Sequence, residues 1–196
     1  MAEPLKIVAL GDSLTQGYGL PPEQGFVPQL QAWLAAQGAD AMVVNAGVSG
    51  DTTAGGLERA DWAMEPGTAA LIVELGGNDM LRGLDPALAR ANLTGILDKA
   101  KAKGLPVLLV GVTAPGNYGA DYKAAFDAIW PELSAKYGTL MIADFLGPVR
   151  AAIGAGTPMA ELVQEDGLHP NAKGVALVVA ATGPKVLELI AGAKGG

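Results

Sequence analysis

The 196-residue chain contains no cysteine. That excludes a thiolate nucleophile, disulfide bonds and thiolate-held metal, although it fits an oxidising compartment as well as a reducing one. Positive charge is also scarce: 13 Lys and Arg stand against 20 Asp and Glu, for a formal net charge of -7. Phosphate backbones and anionic lipid are held by clustered Lys and Arg, so the chain offers no footprint for nucleic acid. No apolar run reaches the roughly eighteen residues that span a bilayer, and no basic-then-apolar signal precedes the first strand pattern. Stable membrane insertion is therefore not expected. Met1-Ala2-Glu3-Pro4 reads as a natural start or as an initiator on a mature chain whose export signal has been removed. A periplasmic or secreted home is the expectation, with a cytoplasmic one left open. Internal repeats, low-complexity tracts and Pro- or Ser-rich linkers are missing too, which leaves one domain, 1–196. Nothing in the sequence speaks to oligomeric state.

Half of the residues are hydrophobic and 17% are charged, the balance of a chain that packs a core without staples. Leu5-Lys6-Ile7-Val8-Ala9-Leu10, Met42-Val43-Val44, Ala70-Leu71-Ile72-Val73, Val107-Leu108-Leu109-Val110 and Leu140-Met141-Ile142 read as strands, most of them running into Gly- or Asn-rich turns. Between them, Phe26, Leu30, Trp33 and Leu34 form a helical stripe closed by Gly38, and Leu88, Leu93, Ile96, Leu97 and Ala100 another, opened by Asp85-Pro86. A helix around Tyr122, Phe126 and Ile129 should be kinked or divided by Pro131, and a last helix from about Ala172 through Ile190 bent at Gly183-Pro184. Alternating strands and helices, with strands too apolar to face water, predict a parallel sheet of about five strands covered on both faces. The expected architecture is an α/β, flavodoxin-like three-layer α/β/α sandwich.

Ligands of open parallel sheets bind beyond the carboxyl ends of the strands, so the turns there are where chemistry is sought. In Gly11-Asp12-Ser13-Leu14 a small hydroxyl leaves the sheet beside a glycine that permits a tight turn, although Asp12 or Ser13 could equally cap a helix. The single histidine lies in Asp166-Gly167-Leu168-His169-Pro170-Asn171. An Asp three positions before a His in such a loop can reach Nδ1 and leave Nε2 facing a nucleophile, and a serine hydroxyl needs that base. One His without a carboxylate cluster makes a poor zinc or iron site, so no metal is expected. The turns Asn45 to Thr52 and Glu74 to Asp79 are rich in donors. With the Ser13 N–H, the Gly50 N–H at an expected helix start and the Asn78 amide could form an oxyanion hole. The alternative is ordinary turn chemistry, with Asp51 capping the next helix and Asp79 bracing its own loop.

Taken together, these four blocks resemble the SGNH (GDSL) hydrolase superfamily, named for a Ser, a Gly, an Asn and a His. Ser13, Gly50, Asn78 and His169, the last with Asp166, stand in order across nearly the whole chain. The Gly-x-Ser-x-Gly elbow of α/β-hydrolases is absent. The resemblance implies a three-layer fold and a cofactor-free acyl-enzyme mechanism, with Ser13 as nucleophile, His169 as base, Asp166 as its support, and Ser13, Gly50 and Asn78 as oxyanion donors. Through Val73-Glu74-Leu75-Gly76-Gly77-Asn78-Asp79 and Asn117-Tyr118-Gly119 it is closest to the small bacterial branch described as thioesterase, lysophospholipase and arylesterase. That branch implies small-molecule acyl esters or thioesters and broad acyl specificity. Its mobile loop after the Asn block maps to Met80-Leu81-Arg82-Gly83-Leu84, with Asn117 and Tyr118 nearby. Met80, Leu81 and Leu84 could instead pack on the core. Members that cleave short-chain or carbohydrate acetates share the same blocks, so acyl length stays open. From a different class, a non-catalytic flavodoxin-like ligand-binding module is the alternative. Against it, no Gly-x-Gly-x-x-Gly follows the first strand, and Ser13, Asp166 and His169 are all retained.

Overall fold

Five apolar segments become five parallel strands: β1 (Leu5–Gly11), β2 (Ala41–Gly47), β3 (Thr68–Glu74), β4 (Val107–Val110) and β5 (Leu140–Ile142), in the order β2-β1-β3-β4-β5. This computed structural model describes residues 3–195; Met1, Ala2 and Gly196 lie outside them, and with them half of the Met1-to-Pro4 start. Each strand extends the apolar run that predicted it by at most four residues, except β4 and β5, which match theirs. Side chains alternate faces along a strand. In β1, Ile7 and Ala9 accordingly join one buried cluster while Val8 and Leu10 join the other. The edges differ: β2 alternates buried and exposed positions at its start, and β5 is half-buried throughout.

On the first face lie α2 (Phe26–Ala36), α8 (Gly147–Gly154) and α9 (Ala172–Lys194); on the second lie α3 (Thr53–Ala63), α5 (Pro86–Ala102), α6 (Ala120–Asp127) and α7 (Ile129–Tyr137). Phe26, Leu30 and Leu34 of α2 are buried as the stripe predicted, each contributing roughly 1.5–3 kcal/mol. The expected break near Pro131 falls three residues earlier, at Ala128. Proline lacks the N–H that would bond Asp127, and its ring disfavours a helical residue before it, so α7 restarts with Pro131 in its first turn. The final helix runs unbroken through Pro184. Gly183 is a notch for α2 there: a Cβ on it would lie 2.5 Å from the Trp33 ring. By length and composition α9 could cross a membrane, but its apolar face, including Val178, Val186 and Leu189, is buried against the first cluster.

Strand order reverses beside β1. Its connection to β2 runs over one face through α2, and the return to β3 runs over the other through α3. The two short helices α1 (Ser13–Gln16) and α4 (Gly77–Leu81) start at the carboxyl ends of β1 and β3, on either side of this switch point. Parallel sheets of this order open a crevice at such a place.

Candidate active site

The switch point holds a cavity of about 400 Å3 whose walls include Ser13, Gly50, Asn78, Asp166 and His169. Residues 156 positions apart meet there: His169 Nε2 lies 2.8 Å from Ser13 Oγ. On the ring's other side, Asp166 Oδ2 lies 2.6 Å from Nδ1. The loop is built to hold this carboxylate, because Asp166 Oδ1 accepts the backbone N–H groups of Leu168 (2.9 Å) and His169 (3.0 Å). The hydrogen bond from the His169 ring, then those two backbone bonds, hold the Asp166 carboxyl down at about 2. A carboxylate at Nδ1 places the ring proton there, which leaves the Nε2 lone pair facing the hydroxyl. Tyr18 packs against the imidazole with ring centroids 4.8 Å apart.

Ser13 opens α1, and Asp12 caps it by accepting the Leu14 N–H at 3.0 Å. The cap is also part of the site, since Asp12 Oδ2 accepts from Asn78 Nδ2 at 3.1 Å. Gly76, at φ +120 and with the Trp130 ring 2.8 Å from where a Cβ would sit, turns the chain sharply out of β3 so that Asn78 reaches this point. The second hydrogen of the Asn78 amide goes to the Asp51 carbonyl at 2.9 Å.

Gly50 does not open a helix as its surroundings suggested; it occupies a turn at φ +79, and α3 starts at Thr53 with Thr52 as its cap. Asp51 does not cap α3 either. Its carboxylate accepts from Arg59 Nε at 2.6 Å, while Nη1 and Nη2 of the same guanidinium donate to the Ala46 (2.6 Å) and Gly11 (2.8 Å) carbonyls. One side chain thus ties together the ends of β1 and β2 and the loop carrying Gly50. Arg82 Nη2 holds the Gly50 carbonyl itself at 2.6 Å. Asp79 braces a neighbour rather than its own loop: it accepts from the Thr53 hydroxyl (2.6 Å) and N–H (2.8 Å).

Of the residues expected to meet substrate, Met80 and Leu81 line the cavity, whereas Leu84, Asn117 and Tyr118 are not on its wall. Leu84 and Tyr118 contribute to the neighbouring loop contact, in which the Tyr122 hydroxyl donates to the Leu84 carbonyl at 3.0 Å and the Tyr118 hydroxyl to that of Leu81 at 3.4 Å. Three apolar wall residues escaped the sequence reading: Val112, Leu146 and Leu168, from three separate loops. Arg150, paired with Asp144, was missed as well. So was Glu74, wholly buried at the end of β3; a charge closing an apolar strand was its signal. Burial and the adjacent Asp12 push the Glu74 carboxyl up, and burial pushes Asp12 up to about 6. A larger cleft of about 540 Å3 opens at the amino-terminal ends of β4 and β5, but none of Ser13, Gly50, Asn78, Asp166 and His169 lies on its wall. Among the described residues no group of three or more His, Asp or Glu side chains is placed to hold a metal ion.

Residues 9–177 match the model of the GDSL-like Lipase/Acylhydrolase family. Over 165 residues, 84% of this chain and 79% of the relative, the chain is 41% identical to the esterase TesA of Pseudomonas aeruginosa. It is 34% identical over 167 residues to thioesterase 1/protease 1/lysophospholipase L1 of Escherichia coli K12, covering 84% of this chain and 75% of that one. The crystal structure of AlinE4, described as an SGNH-hydrolase family esterase, superposes with a TM-score of 0.77 at 44% identity, over 96% of this chain and 97% of that one.

Proposed function

Because the chain belongs to the GDSL-like lipase/acylhydrolase family and is a carboxylic ester hydrolase of the SGNH type, we propose that Ser13, His169 and Asp166 carry its chemistry on a broad range of acyl esters and thioesters. The observation that supports this most directly is the unbroken chain of contacts from Ser13 Oγ through the His169 ring to Asp166, at 2.8 and 2.6 Å. His169 Nε2 takes the hydroxyl proton as Oγ attacks the substrate carbonyl carbon, and Asp166, ionised at any working pH, supports the imidazolium that forms. The carbonyl oxygen gathers negative charge, which the N–H groups of Ser13 and Gly50 and the Asn78 amide stabilise. As the tetrahedral intermediate collapses, the imidazolium gives its proton to the leaving alcohol or thiol. Water, deprotonated by the same ring, then attacks the acyl-serine, and expulsion of Oγ releases the acid and restores the hydroxyl. The protein's own groups complete this cycle, with the whole chain, 1–196, acting as one catalytic domain.

The apolar wall built by Met80, Leu81, Val112, Leu146 and Leu168 supports an acyl chain rather than a sugar as the bound portion, in the manner of an arylesterase, thioesterase or lysophospholipase. A fluorophosphonate probe tests the nucleophile: one mass increment on Ser13, and none on Ser13→Ala, is expected. Hydrolysis rates over p-nitrophenyl esters and acyl thioesters from acetate to long chains test the scope. A rate confined to acetate would replace the acyl-chain reading with that of a short-chain or carbohydrate acetylesterase.

A further inference from the structure

Two carboxyls that acyl transfer leaves unused lie beneath the nucleophile turn. Asp12 is 2% exposed and Glu74 0%. The surrounding hydrogen bonds treat them differently. Asp12 has a donor on each oxygen, the Leu14 N–H at 3.0 Å and Asn78 Nδ2 at 3.1 Å. Glu74 Oε2 accepts from the Thr15 hydroxyl at 2.8 Å, but its Oε1 has no donor at all. A buried carboxylate with an orphan oxygen is costly, whereas a neutral carboxyl tolerates it far better. The β1–β3 register sets Glu74 opposite Gly11 and so beside Asp12, and two carboxylates buried side by side repel, so that one of them keeps its proton. Thr15 from α1, Asn78 from α4 and the His169 ring from the loop before α9 face the pair. Among the described residues no Lys or Arg forms an ion pair with either carboxyl; Arg59 of α3, which reaches the adjacent Gly11 carbonyl, is committed to Asp51 and two carbonyls.

We propose that Glu74 is a positioning residue of the oxyanion hole: it keeps one proton within the Asp12–Glu74 pair, so that a single shared charge orients the Asn78 amide and still lets it turn to substrate. The Asn78 amide nitrogen has two hydrogens, and both are engaged, on Asp12 and on the Asp51 carbonyl. A developing oxyanion must therefore compete with Asp12 for one of them. An Asp12 that already accepts a proton from Glu74 is the weaker competitor, and the pair sets one negative charge beside the oxyanion instead of two. The inference rests on reading Asn78 as an oxyanion donor.

Steady-state kinetics of Glu74→Gln, Glu74→Leu and Asn78→Ala on a soluble short-chain p-nitrophenyl ester test it. Glu74→Leu should lose about 10²-fold in kcat with KM little changed, as expected of a misplaced catalytic group. Glu74→Gln supplies a neutral N–H donor of the same shape and should recover kcat to within about threefold of the parent. In the infrared, the parent at neutral pH should show the carbonyl stretch of a protonated carboxylic acid, which Glu74→Gln should lack. A folded Glu74→Gln as slow as Glu74→Leu, a loss seen in KM alone, or a parent without that band overturns the proposal. Should Glu74→Leu not fold, the Gln variant and the band decide by themselves. Asn78→Ala with parental kcat removes the reading beneath the proposal, whereas a slow Asn78→Ala beside an unimpaired Glu74→Leu removes the proposal alone.

Discussion

Asp166→Asn isolates the electronic role of the carboxylate, because the replacement fits the same space. Asn can keep accepting the Leu168 and His169 N–H groups through its single carbonyl oxygen, so the loop holds its shape. Its amide nitrogen then takes the place of Oδ2, 2.6 Å from His169 Nδ1, and donates to it. The ring proton is driven to Nε2, where it points at Ser13 Oγ, 2.8 Å away, and the base can no longer accept. The same Asp-to-Asn change in a chymotrypsin-type triad costs about 10⁴-fold in kcat, or roughly 5.4 kcal/mol at 1.36 kcal/mol per tenfold. Here the Asp166 side chain is 37% exposed, so water supplies part of the support to the imidazolium. A loss of about 10²–10³-fold, roughly 2.7–4 kcal/mol, is expected, with KM little changed. The assay is hydrolysis of p-nitrophenyl butyrate at several substrate concentrations, with circular dichroism to show that the fold is kept. A folded Asp166→Asn enzyme within about threefold of parental kcat would falsify the assignment of the triad.

Asn78→Ala should lose about 10²–10³-fold in kcat and keep its KM; a rise in KM at constant kcat would make Asn78 a ground-state contact. Arg82→Ala frees the Gly50 carbonyl and should slow turnover about three- to tenfold without lowering Tm, so an unchanged rate would show that the Gly50 loop holds without it. Stability should depend on pH through Asp12, raised from 3.8 to about 6, and Glu74, raised from 4.5. A raised acid favours the fold most when protonated, and its contribution is whole below the unfolded value and lost as pH rises through the folded one. Urea denaturation should therefore show the parent weakening more than Glu74→Gln between about pH 4 and pH 8, and a weakening of equal size in both would contradict this. Gly183→Ala sets a Cβ 2.5 Å from the Trp33 ring; overpacking of about 1–3 kcal/mol outweighs a helix-propensity gain of about 1 kcal/mol. A fall of a few degrees in Tm with unchanged kcat is expected, and an unchanged Tm would show that the ring moves aside freely.

Strands were legible because β1 and β3 are buried on both faces and so read as plain apolar runs, and their parallel pairing follows from the alternation with helices. Local competition between capping groups was less legible. Asp51 and Thr52 are both good caps; Thr52 wins since its backbone is extended and its hydroxyl reaches the Gly55 N–H, while Asp51 is claimed by Arg59. No local pattern announces a partner eight residues along that also binds two strand ends. The residues proposed for catalysis were readable for the opposite reason, since Asp166 and His169 lie in one short loop and Ser13 follows the first strand. The cavity wall resisted reading: its apolar part draws Val112, Leu146 and Leu168 from separate loops, each an unremarkable hydrophobic residue in its own segment. Glu74 stood in plain view as the polar end of Ala70-Leu71-Ile72-Val73-Glu74, yet its meaning comes from Asp12, brought beside it only by the β1–β3 pairing.

The same pairing bears on how an acidic chain of net charge -7 can stabilise a negative transition state. Three arginines around the site are spent on the protein itself: Arg59 on Asp51 and two carbonyls, Arg82 on the Gly50 carbonyl and Arg150 on Asp144. What faces the developing oxyanion in the proposed mechanism is a set of neutral dipoles, the N–H groups of Ser13 and Gly50 and the Asn78 amide. Dipoles fixed beforehand need no reorganisation as charge develops, which is where most electrostatic catalysis is gained. Arg59 and Arg82 serve that end indirectly, by clamping carbonyls in the segments that lead to Ser13 and carry Gly50. Removing a clamp should therefore blur the geometry of the hole, whereas adding a new cation at its mouth would compete with those clamps for the same carbonyls.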